Sequence, residues 1–274
     1  MTAAYPPPRH LLRDLRLTFE HDDPRHSRAW LPVVPEVCGP DGTVRAGVLA
    51  TLVDVIGGGL AATAAAPDWI ATADLTLHVV DGPRVGVVEA RASVLRAGRT
   101  TVVLEVDLVD GGARNVGVAT MSFAVLPRRE TNPDISSVRR PGSSTMATSE
   151  SRLGKPFVDA LGVRVVDAHA GVVDVPVTDW ARNSMGAFQG GAVGAVVEAA
   201  AETALRHASS APLVVTDLHL TYLSFGRVGP LRTRTEVLAV SVDRGVARVE
   251  LFDTGADARV TTVARVVASR AVAR

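Results

Sequence analysis

Two stretches of this chain place a carboxylate nine residues after the start of a small-residue turn, each inside a largely apolar run. The first runs from Arg45-Ala46-Gly47 to Asp54 and the second from Gln189-Gly190-Gly191 to Glu198. A turn opening a helix offers backbone N–H groups with no intrahelical partner and the positive end of the helix dipole, which suits a carbonyl oxygen gaining negative charge. Gly190 and Gly191 carry no Cβ to obstruct a ligand. Asp54 stands among Leu49, Leu52, Val53, Val55 and Ile56. Ionised, it is unfavourable there unless paired or facing a wet cavity, and in such a cavity it can attack a carbonyl directly or activate water. An exposed, capping or structurally paired carboxylate is the alternative.

Other residues can join this chemistry. Asn183 and Gln189 carry amides able to orient water or a carbonyl, or to cap a loop. Thr72, eighteen residues after Asp54, brings a hydroxyl on an expected strand. Glu198 has Glu202 on the same helix face and Arg45 as a candidate ion-pair partner, so its corner can equally be structural. His78 and His219 fall on expected strands as isolated residues.

The elements that must position these groups repeat. Residues 45–54 correspond to 189–198, while Asp74-Leu75-Thr76-Leu77 corresponds to Asp217-Leu218-His219-Leu220 and 106–110 to 249–253, all in nearly constant register. Such self-similarity points to duplication. In each copy an Ala/Val-rich helix (47–66, 190–208) precedes four segments of alternating character: 71–80, 86–96, 100–110 and 115–126, then 213–223, 231–241, 245–253 and 258–270. An extra strand is expected before each helix, near Leu31–Val37 and Val163–Val177. The predicted class is α+β, two sheets each wrapped around a long helix, with residues 1–127 and 153–274 as domains and 128–152, rich in Arg, Ser, Pro and Asn, as a linker. The triple glycine 57–59 weakens a mid-helix by about 1 kcal/mol per residue against Ala. It implies a kink, close packing on the sheet, or room for a ligand.

Composition removes several functions. Basic and acidic residues balance at 29 each, so no strong overall positive field supports nucleic-acid binding. Cys38 is the single cysteine, which excludes an intrachain disulfide and a Cys-based metal cluster. No metal-ligand spacing, phosphate-cradling loop or serine nucleophile elbow occurs, and no cofactor is expected. Met1–Pro8 lacks a signal-peptide layout, and the apolar run 47–67 carries an acid and many Gly and Ala residues, reading as a packed helix rather than a membrane span. A cytoplasmic protein is expected.

Taken together, the repeat and its motifs resemble the hotdog fold, specifically the PaaI-like acyl-CoA thioesterases, over roughly 28–126 and 155–272. That family carries an Asn, then His-Gly-Gly beginning six positions later, then an acid nine positions after the His. Here Asn183, Gln189-Gly190-Gly191 and Glu198 follow the pattern with Gln for His, while Gly39, Arg45-Ala46-Gly47 and Asp54 depart further. The resemblance implies an intrachain pseudo-dimer with two unlike composite sites. One combines Asp54 and Thr72 with Asn183, Gln189 and Gly190; the other combines Glu198 with Arg45 and Ala46, and has Val215 in place of Thr72. It also implies an acyl-CoA substrate hydrolysed to free acid and CoA, Arg96 and Arg99 as CoA-binding residues, and a homodimer of four hotdogs. A non-catalytic acyl-CoA-binding protein and an enoyl-thioester hydratase are the alternatives, the latter lacking the histidine it needs beside either acid.

Overall fold

A computed structural model describes residues 5–129, 142–147 and 150–270. The two central helices are α2 (Ala46–Ala65) and α4 (Gly190–Ala208), and single short turns, α1 (Leu11–Asp14) and α3 (Phe157–Ala160), open each half. The first half supplies β1 (Thr18–Asp23), β2 (His26–Pro32), β3 (Trp69–Val79), β4 (Val87–Ala97), β5 (Thr101–Asp110), β6 (Asn115–Leu126) and β7 (Gly142–Thr145). The second supplies β8 (Arg164–Asp167), β9 (Val172–Val175), β10 (Leu213–Tyr222), β11 (Leu231–Val240), β12 (Arg244–Asp253) and β13 (Arg259–Arg270). Paired strands run in the order β7-β1-β2-β4-β5-β6-β3-β10-β13-β12-β11-β9-β8, one antiparallel sheet of thirteen.

Alternation explains the wrapping. Val102, Leu104, Val106 and Leu108 of β5, and Ala247, Val249 and Leu251 of β12, are fully buried against the helices while the residues between them face outward. Helix α2 is buried almost all round, because its own sheet covers one side and α4 the other. It is the one helix among the described residues long and apolar enough to cross a membrane, and its burial marks it as a core helix. The fold is therefore a tandem hotdog, two repeats packed as a pseudo-dimer within one chain.

The halves meet in two places. At the sheet seam, β3 pairs with β10 so that Leu75 opposes Leu220 and Leu77 opposes Leu218, all buried. The outer-face side chains of the same strands pair as well: His78 Nδ1 lies 2.6 Å from Asp217, and His219 Nε2 lies 3.0 Å from Asp74. The histidines read as isolated thus each meet an acid of the opposite half. Beneath the sheet, α2 and α4 touch backbone to backbone. A Cβ on Gly47 would lie 2.3 Å from Ala195 Cα, and one on Gly191 2.4 Å from Thr51 Cα, so both positions require glycine.

The expected strand at 31–37 lies earlier, at His26–Pro32, and Pro32 and Pro35 end it before a short turn at Pro35–Val37. The strand expected over 163–177 is two strands, β8 and β9, folded back through Gly171 at a positive φ of 60°. Part of the expected linker, 142–145, adds to β1 as an edge strand, since main-chain pairing needs no side-chain periodicity. The remainder of 128–152 at positions 130–141 and 148–149, and Met1–Ala4, lie outside the described residues.

Candidate active site

Asp54, on the third turn of α2, meets the start of α4. Gly191 N–H donates to Asp54 Oδ2 at 2.9 Å, Gln189 Nε2 approaches the same oxygen at 3.4 Å, and Thr72 Oγ1 donates to Oδ1 at 2.8 Å. The spacing of eighteen residues becomes a contact because α2 turns back into β3, where a bulge skips Ala73 in the pairing with β6 and aims Thr72 at the helix. Asp54 is only 6 % exposed, and burial raises its carboxyl from 3.8 to about 6 against the opposing pull of Thr72 and the Gly191 amide. A carboxylate balanced near neutrality, with its lone pairs oriented, suits proton transfer or attack.

The carboxylate opens on a cavity of about 1080 Å³. One wall follows α2 through Val55, Gly58, Gly59 and Ala62; Trp69, Phe123, Phe188 and Val193 are among the apolar residues facing it. The triple glycine divides its tasks: a Cβ on Gly57 would meet Met121 Sδ at 2.8 Å, whereas Gly58 and Gly59 line the space. Gly190 opens α4 at the cavity, where its N–H has no carbonyl of the same helix to bind, and its carbonyl accepts from Tyr222 Oη at 2.8 Å. Burial holds the Tyr222 hydroxyl well above the ordinary tyrosine range, so it serves as a donor.

Asn183 also lines the cavity, but its Oδ1 accepts from Met185 and Ala187 N–H groups, the loop-capping alternative. Arg96 and Arg99, around the β4–β5 turn, are not part of the cavity wall. Three residues of the wall escaped sequence reasoning. Tyr5 donates to Gln189 Oε1 at 3.2 Å; Tyr222 stands on the expected strand β10, where the period-2 pattern marks it only as facing α4; and His21 lines the cavity from β1 with Nδ1 on Ser27 Oγ at 3.0 Å. Phe225 lines the cavity, and the Arg227 guanidinium sits 4.9 Å from the centre of its ring. Its counterpart in the repeat, Arg84, instead pairs with Asp81 at 3.5 Å.

The mirror corner holds Glu198. Ala46 and Gly47 N–H groups donate to it at 3.1 and 3.0 Å, Arg45 Nε at 3.2 Å, and Arg45 reaches on to Glu202 at 2.6 Å. Burial raises the Glu198 carboxyl against the attraction of Arg45. None of Arg45, Ala46 or Glu198 borders the cavity that contains Asp54. The guanidinium lies between Glu198 and Glu202, and Val215, 6 % exposed, takes the place of Thr72.

Among families of known proteins, the Thioesterase superfamily profile matches residues 41–116 and 185–258, one segment in each half. The chain belongs to that superfamily. Among solved structures it is similar to a thioesterase candidate from Novosphingobium aromaticivorans (16 % identity, 93 % of this chain and 98 % of that one, TM-score 0.60). It is also similar to an acyl-ACP thioesterase from Bacteroides thetaiotaomicron (12 % identity, 89 % and 98 %, TM-score 0.59). A third is a thioesterase II candidate from Thermobifida fusca (17 % identity, 89 % and 92 %, TM-score 0.57). At these identities the likeness establishes the fold. No curated protein sequence matches the chain.

Proposed function

We propose that the protein hydrolyses acyl-CoA thioesters at the Asp54 corner, in the manner of the PaaI-like enzymes. The observation that carries this reading is the buried Asp54 carboxylate held at a helix start of the other half, on the wall of a cavity with an apolar lining. The Gly190 N–H polarises the thioester carbonyl while Gly191 and Thr72 hold the carboxylate. Acting as a general base, Asp54 takes a proton from water as the oxygen attacks the carbonyl carbon; the C–S bond then breaks and the proton passes to the departing thiolate. Acting as a nucleophile, it forms a mixed anhydride with release of the thiolate, and water then cleaves the anhydride. Gln189 cannot titrate, so it orients the carbonyl or the water.

The wall from Asp54 to Ala62 extends about 12 Å along α2 at 1.5 Å per residue, which accommodates an extended or aromatic acyl group. The CoA phosphates meet cations outside the pocket, with Arg96, Arg99 and Arg227, stacked on the cavity residue Phe225, as recipients. A homodimer and a cytoplasmic setting complete the proposal; the free thiol of Cys38 suits a reducing compartment.

The test is thiol release from a panel of acyl-CoAs, expected to depend on Asp54. Wild-type rate in Asp54→Asn, or ligand-dependent thermal stabilisation with no turnover, would overturn it. Single turnover in ¹⁸O-water separates the routes, because only the anhydride route can leave label in the Asp54 side chain.

A further inference from the structure

The segment before β1 crosses to the other half. His10 is fully buried; its Nδ1 accepts from Leu12 N–H at 3.2 Å, which leaves Nε2 to donate to the Arg182 carbonyl at 2.7 Å. Asp14 accepts from Trp180 Nε1 at 2.7 Å. Arg13 Nε donates back to the Pro7 carbonyl at 2.8 Å, tying the arm to itself. Clamped in this way, the arm sets Tyr5 edge-on to His10, with ring centres 5.1 Å apart, and delivers its hydroxyl to Gln189 Oε1. Tyr5 keeps 39 % of its surface open while desolvation of its hydroxyl, aided by the Asp54 charge, holds the phenol above its ordinary range. It therefore enters as a donor.

An amide has two ends of opposite character, and only one suits a carboxylate. With Oε1 engaged by Tyr5, Gln189 must turn Nε2 toward Asp54, where the 3.4 Å separation leaves that N–H loosely held and available to a ligand oxygen. Without the phenol, only the long 3.4 Å contact with Asp54 holds the amide, which can then turn its oxygen to the cavity. We propose that Tyr5 is a positioning residue of the hydrolytic centre, acting from the N-terminal arm through Gln189 to fix which end of its amide faces the reacting thioester. This inference rests on the reading under Proposed function. It concerns a contact between residues 184 apart that no repeat pattern encodes.

Single and double variants, with ¹⁹F spectra, test it. Tyr5→Phe keeps the ring and removes the hydroxyl; it should lower kcat about fivefold, the worth of one hydrogen bond, with KM within about twofold. In a Gln189→Ala background the same change should lower kcat no further, since the effect travels through the amide. The chain has two tyrosines, Tyr5 and Tyr222, so 3-fluorotyrosine labelling gives two ¹⁹F resonances that Tyr222→Phe assigns. The Tyr5 resonance should move in Gln189→Ala. Losses that multiply in the double variant, an unchanged kcat in Tyr5→Phe, or a Tyr5 resonance indifferent to Gln189→Ala overturns the proposal while leaving the hydrolytic reading intact. Full rate in Asp54→Asn would instead remove the hydrolytic reading, and the role of Tyr5 with it, even where the resonance moves.

Discussion

The corners around Asp54 and Glu198 share a backbone and differ in what fills it. In each, an acid on the third turn of one central helix accepts from the amides that open the other, at 2.9 Å for Asp54 and at 3.0 and 3.1 Å for Glu198. At the Glu198 corner a guanidinium neutralises the acid and spans to Glu202, making a closed ion cluster. At the Asp54 corner the same volume is a neutral amide and a cavity, so the acid is held by donors without a compensating charge. Corresponding main-chain placement thus yields a closed ion cluster in one case and a carboxylate open to a cavity in the other. The choice is made by the residue before the helix, Arg45 or Gln189.

The largest expected contrast is in rate. Asp54→Asn should reduce hydrolysis by about a thousandfold, the scale of a lost acid–base group, whereas Glu198→Gln should leave it within about threefold. Thiol release measured on both variants decides whether the corners differ as described; equal losses would erase the distinction. Stability should answer the other way. Arg45→Ala strands a buried carboxylate and should lower the unfolding free energy by about 3 kcal/mol in denaturant titration, with hydrolysis little changed.

The pH dependence sharpens the comparison. With its carboxyl at about 6 in the folded protein against 3.8 in an open chain, Asp54 holds its proton longer when folded. Stability then falls as pH rises from about 4 to about 6, by about 3 kcal/mol in total from this group, and Asp54→Asn should remove that part of the slope. The hydrolytic rate should rise between about pH 5 and about pH 7, with a midpoint near 6, because the ionised form is the working one. Calorimetry and a pH–rate profile check the two together. The smallest effect concerns the pocket alone: Gly58→Val, at a position where an added Cβ meets only Phe123 at 3.9 Å, should favour shorter acyl chains about tenfold with folding nearly intact.

Much of this was legible because it is local or repeated. The helix bounds follow from an Ala/Val run between small-residue turns, Asp54 and Gln189 emerged from the repeated turn-and-acid spacing, and Thr72 from its place after the acid in the family the chain resembles. Asn183, named with the site, lines the cavity while its Oδ1 caps its own loop, a pairing that spacing does not carry. Tyr5 stayed hidden because its partner lies in the other half and the arm around it has no periodicity. The early strands were misplaced because prolines 32 and 35 sit inside the apolar stretch that suggested them, and because β1 and β8 are edge or near-edge strands with little burial to mark them.

The unbroken sheet across β3 and β10 has a consequence for how such a molecule can vary. Two copies of a single hotdog must change both their corners whenever one residue changes, so a brace gained at one is a pocket lost at the other. Here the partners are successive lengths of the same polypeptide, always present in equal amounts and at a fixed distance. One corner is free to become scaffolding while its twin keeps an opening for a guest.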